Sequence, residues 1–295
     1  MELSEIKITD IRVEPGDSAF LIDDGVTSIM YDAGFAFTGY EIADKIKSIL
    51  GDRSLDYIFL THSHYDHVLG SVYALKYWPE AKVVAGEHAA EIFKKPTARA
   101  VMRELDSKFA KTCGIDTYED LIDELKVDIV VKDGDIIKAG DMEFEVLGLP
   151  GHTKCSIGFY CARRKMLLSC ETIGVYDGKT VMPVFLVGYQ MTLNSIARVE
   201  ALDIESILVS HHGMLSGEAA RKYIKDVRKS TVQIADWIVS LLRKGISKEE
   251  IIEGYKDWFY HGIVRRMYPI DALKLNTGII INLLEKEFGI APVDL

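Results

Sequence analysis

The 295-residue chain is short of basic residues and has no long apolar run. Lys and Arg total 35 against 45 Asp and Glu, which gives a formal net charge of −10. A nucleic-acid binder needs a basic surface that displaces counterions from phosphates, so we expect no nucleic-acid partner. The longest stretch without a charged residue, 180–197, contains Pro183 and Asn194 and is too polar to cross a bilayer. The charged first residues do not resemble a secretory signal, so we expect a cytoplasmic enzyme without membrane contact.

Paired cysteines and linker-like segments are also missing. The four cysteines, Cys113, Cys155, Cys161 and Cys170, form no CxxC pair, which excludes a zinc knuckle and a thioredoxin-like motif. We therefore expect buried thiols. No fixed-period repeat, low-complexity tract or Pro/Ser-rich linker interrupts the chain. A single domain over residues 1–295 is the resulting prediction.

Short apolar runs and helical periodicities follow one another along the chain. Strands are predicted at Ile6–Val13, Ala19–Ile22, Thr27–Asp32, Tyr57–Leu60, Met142–Val146, Ser156–Cys161, Met166–Ser169 and Ser206–Ser210. A helical insertion is predicted at about 87–125 and a helical C-terminal extension at about 217–295, where Ser247 and Glu250 fit a capping box. This mixture indicates an α/β protein built in layers.

Three of the eight histidines lie within six residues, in His62-Ser63-His64-Tyr65-Asp66-His67. The segment directly follows the predicted buried strand Tyr57–Leu60. His62 and His64 can therefore point at one position, and Asp66 and His67 at a second position nearby. Imidazole and carboxylate are ligands that Zn²⁺ and similar cations accept. The segment predicts a metal site.

This segment resembles the HxHxDH signature of the metallo-β-lactamase superfamily, and further segments resemble the family's motifs in the family's order. They are Asp32-Ala33-Gly34, Pro150-Gly151-His152-Thr153, Ser169-Cys170-Glu171-Thr172 and Ser210-His211-His212-Gly213. In the last segment we align His211 as the ligand, with His212 as the alternative. Asp32 takes the place of a family residue that supports a ligand from outside.

The resemblance implies a four-layer αββα sandwich with two divalent metal ions, Zn in the first place and Fe or Mn as alternatives. One ion would be bound by His62, His64 and His152, the other by Asp66, His67 and His211, with Glu171 bridging them. The implied activity is that of a metallo-hydrolase, in which a metal-bound hydroxide attacks a small ester, thioester or lactone. Asp66 is the catalytic candidate that would shuttle a proton.

Glu171 departs from the family pattern, which usually has Asp at this place. The additional methylene moves the carboxylate outward by about 1.5 Å. The longer side chain could still bridge two ions. It could instead bind one ion or none, which would leave a mononuclear site or one selective for iron or manganese.

Two further features bear on the substrate and the partners. Arg99 and Arg103 lie four residues apart in the insertion and would attract an anionic small molecule as part of a lid, or else form an ordinary solvated face. Tyr176 could donate to an oxyanion, or be a half-buried aromatic residue. The run Trp258-Phe259-Tyr260 could line an entrance to the site or a homodimer contact, although a core edge is the simpler interpretation.

Other functions are compatible with the same fold. The resemblance extends to iron enzymes that carry out oxygen, nitric oxide or persulfide chemistry, and to small-molecule phosphodiesterases. A non-catalytic metal-binding domain is a third hypothesis. The native metal and a turnover assay distinguish these functions.

Overall fold

The computed structural model describes residues 5–290, which divide into two compact units. The N-terminal unit comprises the chain up to Gly148 together with Ile157–Arg164. The C-terminal unit comprises Leu149–Ser156 and the chain from Lys165 onward. That the two units act as a single domain stays a prediction.

A six-stranded sheet forms the centre of the N-terminal unit. Its strands, in spatial order, are β1 (Lys7–Asp10), β2 (Phe20–Asp23), β3 (Ser28–Tyr31), β4 (Tyr57–Leu60), β5 (Lys82–Gly86) and β6 (Ile129–Val131). The first three strands pair antiparallel and the last four pair parallel. Because β3 and β4 are parallel neighbours, the residues that follow them emerge at the same edge of the sheet.

Helices and a three-stranded meander complete the N-terminal unit. The helices are α1 (Gly39–Leu50), α2 (Tyr65–Val68), α3 (Ser71–Tyr77), α4 (Glu87–Phe93) and α5 (Pro96–Thr112). The strands β7 (Ile136–Ala139), β8 (Met142–Gly148) and β9 (Ile157–Cys161) pair antiparallel in chain order. The helical part of the insertion is shorter than predicted. It stops at Thr112 because Gly114 takes a left-handed φ of 81°, and only a 3₁₀ turn at Ile122–Glu124 follows.

The C-terminal unit combines short strands with long helices. Its strands are β10 (Met166–Leu168), β11 (Val175–Tyr176), β12 (Val181–Met182), β13 (Ser206–Val209) and β14 (Gly213–Ser216). Its helices are α6 (Tyr189–Glu200), α7 (Glu218–Arg243), α8 (Lys248–Phe259), α9 (Val264–Met267) and α10 (Ile270–Glu287). Strand β13 pairs parallel with β10 and antiparallel with β14. The last four helices enclose an apolar core that includes Ile238, Ile251 and Ile281.

Several sequence predictions are confirmed at residue level. Strand β4 occupies Tyr57–Leu60 as predicted. In β8, Met142, Phe144 and Val146 are buried while Glu143 is exposed, as the alternating pattern requires. Ser247 and Glu250 form both bonds of the predicted capping box at the start of α8. Within residues 5–290, none of the helices has the length and apolar character needed to cross a membrane.

Candidate metal centre

The N-terminal unit brings its four candidate ligands together at the end of β4. The ring of His62 lies 4.6 Å from the His64 ring and 4.1 Å from the His67 ring, centroid to centroid. His62 and His64 offer ligand atoms within 4.8 Å of each other, and so do Asp66 and His67. His62 and His67 are fully buried, whereas His64 and Asp66 are partly exposed. The contiguous motif therefore forms a compact, half-open group of metal-ligand side chains.

Asp32 supports this group from beneath. It follows β3 with a left-handed φ of 50°, a conformation that Asp tolerates better than most residues. Its Oδ2 lies 2.7 Å from Nδ1 of His67, and its Oδ1 accepts from the backbone N–H of Thr61 at 2.9 Å. Ser18 donates its hydroxyl to the same carboxylate at 3.1 Å. The predicted supporting role of Asp32 thus has a geometric basis within this unit.

The insertion contributes a second buried carboxylate that holds the loop after Asp32. Asp106 on α5 accepts from the backbone N–H of Ala36 at 2.9 Å and from the hydroxyl of Tyr118. Burial raises the pKa of Asp106 to about 7, although these two hydrogen bonds lower it. Around this contact, aromatic rings of Phe35, Tyr65 and Phe109 pack together, so the loop is fixed on both its polar and apolar sides.

The C-terminal unit brings together its own three candidate ligands, all of them buried. His152 precedes β9, Glu171 follows β10, and His211 follows β13. Oε2 of Glu171 lies 2.9 Å from Nε2 of His152, and its Oε1 lies 3.4 Å from Nε2 of His211. Their exposed fractions are 2 %, 1 % and 3 % for His152, Glu171 and His211. The acidic residue that departs from the family pattern is therefore in direct contact with both imidazoles.

Close backbone approaches position the residues of this second group. Gly151 has a φ of 152°, and a Cβ there would lie 2.3 Å from Oγ1 of Thr192, so only glycine fits before His152. The N–H of His152 donates to Oγ1 of Thr172 at 3.1 Å, which ties the ligand to the residue after Glu171. His211 has a left-handed φ of 59°. These constraints fix the backbone on which the imidazoles are carried.

The chemistry of both groups fits a cation. Nδ1 of His152 lies 2.8 Å from the carbonyl oxygen of Val184, which can only accept, so Nδ1 carries the proton. In a neutral ring Nε2 then presents a lone pair toward the Glu171 carboxylate, an arrangement that requires a proton or a metal ion between the two atoms. The N-terminal unit repeats the pattern, because Nδ1 of His67 faces Asp32 while its Nε2 lies 3.6 Å from Oδ2 of Asp66. An outer acceptor that fixes the tautomer of a histidine is characteristic of metal ligands.

Tyr268 is a site residue that the sequence interpretation missed. Its hydroxyl donates to Oε1 of Glu171 at 2.7 Å. Tyr268 lies between α9 and α10, 97 residues after Glu171, in a segment without a recognisable motif. Only the unusual glutamate, which needs donors when buried, gave a signal that such a residue should exist.

Other predicted residues lie in different surroundings. The ring of His212 packs on Tyr176 at 4.7 Å, and the Tyr176 hydroxyl donates to the carbonyl of Gly178 at 3.0 Å. Of the two histidines, His211 is thus the one placed beside Glu171. The oxyanion role of Tyr176 stays a prediction, and its hydroxyl is already bonded locally.

Arg99 and Arg103 are engaged within the insertion. Arg99 donates to the backbone carbonyls of Phe93 and Leu125, at 2.6 and 2.9 Å. Arg103 pairs with Asp120 and Asp123. These contacts join α5 to the end of α4 and to the segment that follows α5, and they favour a structural role for both residues over substrate attraction.

Comparison with known proteins gives the family. The model of the metallo-beta-lactamase superfamily matches residues 14–211, about two-thirds of the chain. The chain belongs to the metallo-β-lactamase superfamily. All seven candidate ligands and Asp32 lie within the matched range, whereas Tyr268 lies beyond it.

Superfamily relatives of this chain include named hydrolases. It is 28 % identical over 116 residues to a probable hydroxyacylglutathione hydrolase, glo2, of Schizosaccharomyces pombe, covering 39 % of this chain and 32 % of the relative. It is 28 % identical over 123 residues to the human acyl-coenzyme A thioesterase MBLAC2, covering 41 % and 42 %. The similarity therefore spans less than half the length of either enzyme.

A structural relative confirms the fold class. The metallo-beta-lactamase superfamily protein ST1585 from Sulfolobus tokodaii superimposes with a TM-score of 0.62 at 18 % identity, over 95 % of this chain and 98 % of that one. Its sequence is 26 % identical over 217 residues, 70 % of this chain and 77 % of the relative. The predicted α/β metallo-β-lactamase fold, with mixed sheets, flanking helices and a helical C-terminal region, is confirmed.

Proposed function

We propose that this superfamily member is a metal-dependent hydrolase that acts on a small ester or thioester. The observation that carries the proposal is the repeated arrangement of a histidine whose Nδ1 is fixed by an outer acceptor and whose Nε2 faces a carboxylate. Relatives named as a hydroxyacylglutathione hydrolase and an acyl-coenzyme A thioesterase support the thioester class. A lactone is the third substrate class we include.

We propose further that the seven candidate ligands bind two divalent ions. His62, His64 and His152 would bind one ion, and Asp66, His67 and His211 the other, with Glu171 shared between them. Zinc suits this set of imidazoles and carboxylates. When bound, such ions supply Lewis acidity and lower the pKa of a water molecule.

Within this proposal, different side chains have different roles in metal binding and proton transfer. Asp32 and the Val184 carbonyl keep the protons of His67 and His152 on Nδ1, so that each Nε2 presents a lone pair to a cation. Asp66 is partly exposed, so it can pass a proton to a departing thiol or alcohol. The burial of His62 in the N-terminal group, and of Glu171 and His211 in the C-terminal group, keeps bulk water from these side chains.

An iron-dependent redox enzyme is the second candidate. His152, His211 and Glu171 form a set of two histidines and one carboxylate, which is a ligand set that non-haem iron also uses. The glutamate in place of the usual aspartate supports this candidate, because the longer side chain could make the site selective for iron. Stoichiometric iron with visible absorbance after purification would favour it over hydrolysis.

The test is a turnover screen on the chain reconstituted separately with zinc, manganese and iron. Thioester, ester, lactone, β-lactam and phosphodiester probes are compared. We expect thioester or ester hydrolysis that is lost in His62→Ala and retained in His88→Ala, since His88 is an exposed histidine of the same unit outside both groups. Equal activity of the His62→Ala variant, or no turnover of any of these probes with any of the three metals, would contradict the hydrolase.

A further inference from the structure

We infer that Tyr268, supplied by the C-terminal helices, is a positioning residue that sets which oxygen lone pairs of Glu171 are available to a metal ion. The inference rests on the proposed metal centre. It concerns a residue outside the superfamily match, which ends at residue 211.

The buried carboxylate of Glu171 needs hydrogen-bond donors. Both imidazoles that contact Glu171 do so through Nε2. With the proton of His152 fixed on Nδ1, its Nε2 is an acceptor in the neutral ring and cannot satisfy the carboxylate. The Tyr268 hydroxyl is a true donor at 2.7 Å, and it can stay in place when a cation is bound.

The contact also has a direction. Tyr268 bonds to Oε1, the oxygen that lies 3.4 Å from Nε2 of His211, whereas Oε2 lies 2.9 Å from Nε2 of His152. A donor on one oxygen restricts rotation of the carboxylate about its terminal torsion, which is otherwise broad. Tyr268 thereby compensates for the additional freedom that Glu has over Asp at this place.

The backbone of Tyr268 is hydrogen-bonded through both its N–H and its carbonyl. Its N–H donates to the carbonyl of Val264 at 2.9 Å, and its carbonyl accepts the hydroxyl of Tyr260 at 3.2 Å. Pro269 follows with a φ of −58° as the residue before α10. The flanking Met267 and Leu273 are buried in the helical core. The backbone that carries the Tyr268 ring is thus anchored independently of Glu171, as a positioning residue requires.

The experiment compares Tyr268→Phe with the wild type and with a matched control, Tyr77→Phe. Tyr77 also donates its hydroxyl to a carboxylate, Asp44, at 2.6 Å, but on the exposed surface of the N-terminal unit. Zinc affinity is measured by competition with a chromophoric chelator, and the coordination by the visible spectrum of the cobalt-loaded proteins. Thermal melting checks that all three proteins fold.

We expect Tyr268→Phe to weaken the binding of one zinc ion by about 10-fold and to change the cobalt spectrum, as losses of outer hydrogen-bonding partners do. Tyr77→Phe should change neither. In a Glu171→Asp background the shorter carboxylate withdraws from the hydroxyl. The effect of Tyr268→Phe should there fall below about 2-fold, which a double-mutant cycle reports as coupling.

The outcomes distinguish a failure of this inference from a failure of the proposed function. Zinc affinities and cobalt spectra of Tyr268→Phe equal to those of the wild type would overturn this inference alone. A 10-fold loss that persists unchanged in the Glu171→Asp background would also overturn it, because the hydroxyl would then act independently of Glu171. A wild-type chain that binds no zinc, cobalt, manganese or iron would overturn the proposed function and this inference together.

Discussion

The two units arrive at similar ligand chemistry from opposite arrangements of sequence. In the N-terminal unit, His62, His64, Asp66 and His67 lie within six residues. In the C-terminal unit, three separate segments supply His152, Glu171 and His211, and a fourth supplies the Tyr268 hydroxyl. A strand end and one turn of helix suffice to gather the first group, whereas the second depends on the packing of distant segments.

The residues that support the two ligand groups also differ in their chemistry. The N-terminal group is held by a carboxylate, Asp32, that satisfies several buried donors at once. The C-terminal group is held by a backbone carbonyl and a tyrosine hydroxyl. We therefore expect substitutions in the first support to reduce stability and substitutions in the second group to reduce metal binding with little cost in stability.

Asp32→Ala should show the largest effect on stability. It removes the acceptor of Ser18, Thr61 and His67, and it places alanine at a φ of 50°. We expect the free energy of unfolding to fall by about 4 kcal/mol, from unsatisfied buried donors and backbone strain. Urea unfolding measures this loss, with Asp32→Asn as the control that keeps shape and should lose less. A loss under 1 kcal/mol for Asp32→Ala would remove the contrast between the units.

Asp106→Asn tests the second buried carboxylate of the N-terminal unit through the pH dependence of stability. Because burial raises the pKa of Asp106 to about 7, the folded chain binds a proton that the unfolded chain releases above about pH 4. This contribution to stability is present at low pH and is lost as the pH rises toward 7. From about pH 5 to about pH 8 the free energy of unfolding of the variant should therefore gain about 2–3 kcal/mol relative to the wild type.

The difference between the two proteins isolates this one group, since Asp17, whose pKa burial also raises, is present in both. Denaturant titrations at several pH values provide the measurement. A pH-independent difference would mean that Asp106 has an ordinary pKa in the folded chain.

Glu171→Gln should behave in the opposite way to Asp32→Ala. The amide can donate to Nε2 of His152, so the metal-free chain should be as stable as the wild type or more stable by about 1 kcal/mol. We expect the loss of about one zinc equivalent at the same time, measured by metal analysis after dialysis. A variant that retains its full zinc content would exclude Glu171 from the centre, and one that is strongly destabilised would make it a structural residue like Asp32.

Arg103→Gln should have the smallest effect and concerns the exposed side of the insertion. Its partners Asp120 and Asp123 are largely exposed, so we expect a loss of less than about 1 kcal/mol. Steady-state kinetics with an anionic substrate should give an unchanged KM. A KM raised several-fold would instead support the substrate-attracting lid.

The sequence predicted the parts of the fold that local patterns determine. Strand β4 and the residues after it were recognisable because a buried strand and a ligand motif are contiguous there. The two-residue strands β11 and β12 were not predicted, since two residues carry no periodicity. Strands β5, β6, β7 and β14 were also missed. Helix α6 was also missed. Its N-terminal N–H groups are satisfied by Glu287 near the end of the chain, so no local cap marks its start.

In the candidate site, too, residues within local motifs were predicted and residues that act through distant contacts were not. Motif order located all seven ligand candidates and Asp32, and the structure places them in two groups. Tyr268 and Asp106 were not predictable, because each acts through a contact 97 or 70 residues away in the chain. For Arg99 and Arg103 the spacing was right, but charge alone could not reveal that nearby carbonyls and carboxylates engage both.

The bonds that Glu287 makes to the start of α6 have a practical consequence for anyone who wishes to shorten this protein. The superfamily match ends at residue 211, yet Glu287 accepts the N–H groups of Tyr189 and Gln190, and the hydroxyl of Tyr268 donates to Glu171. A fragment that ends at residue 211 would lack both Glu287 and Tyr268. The N–H groups of Tyr189 and Gln190 and the carboxylate of Glu171 would then lose these hydrogen-bond partners. A truncated version of this protein should therefore keep the C-terminal helices beyond residue 211.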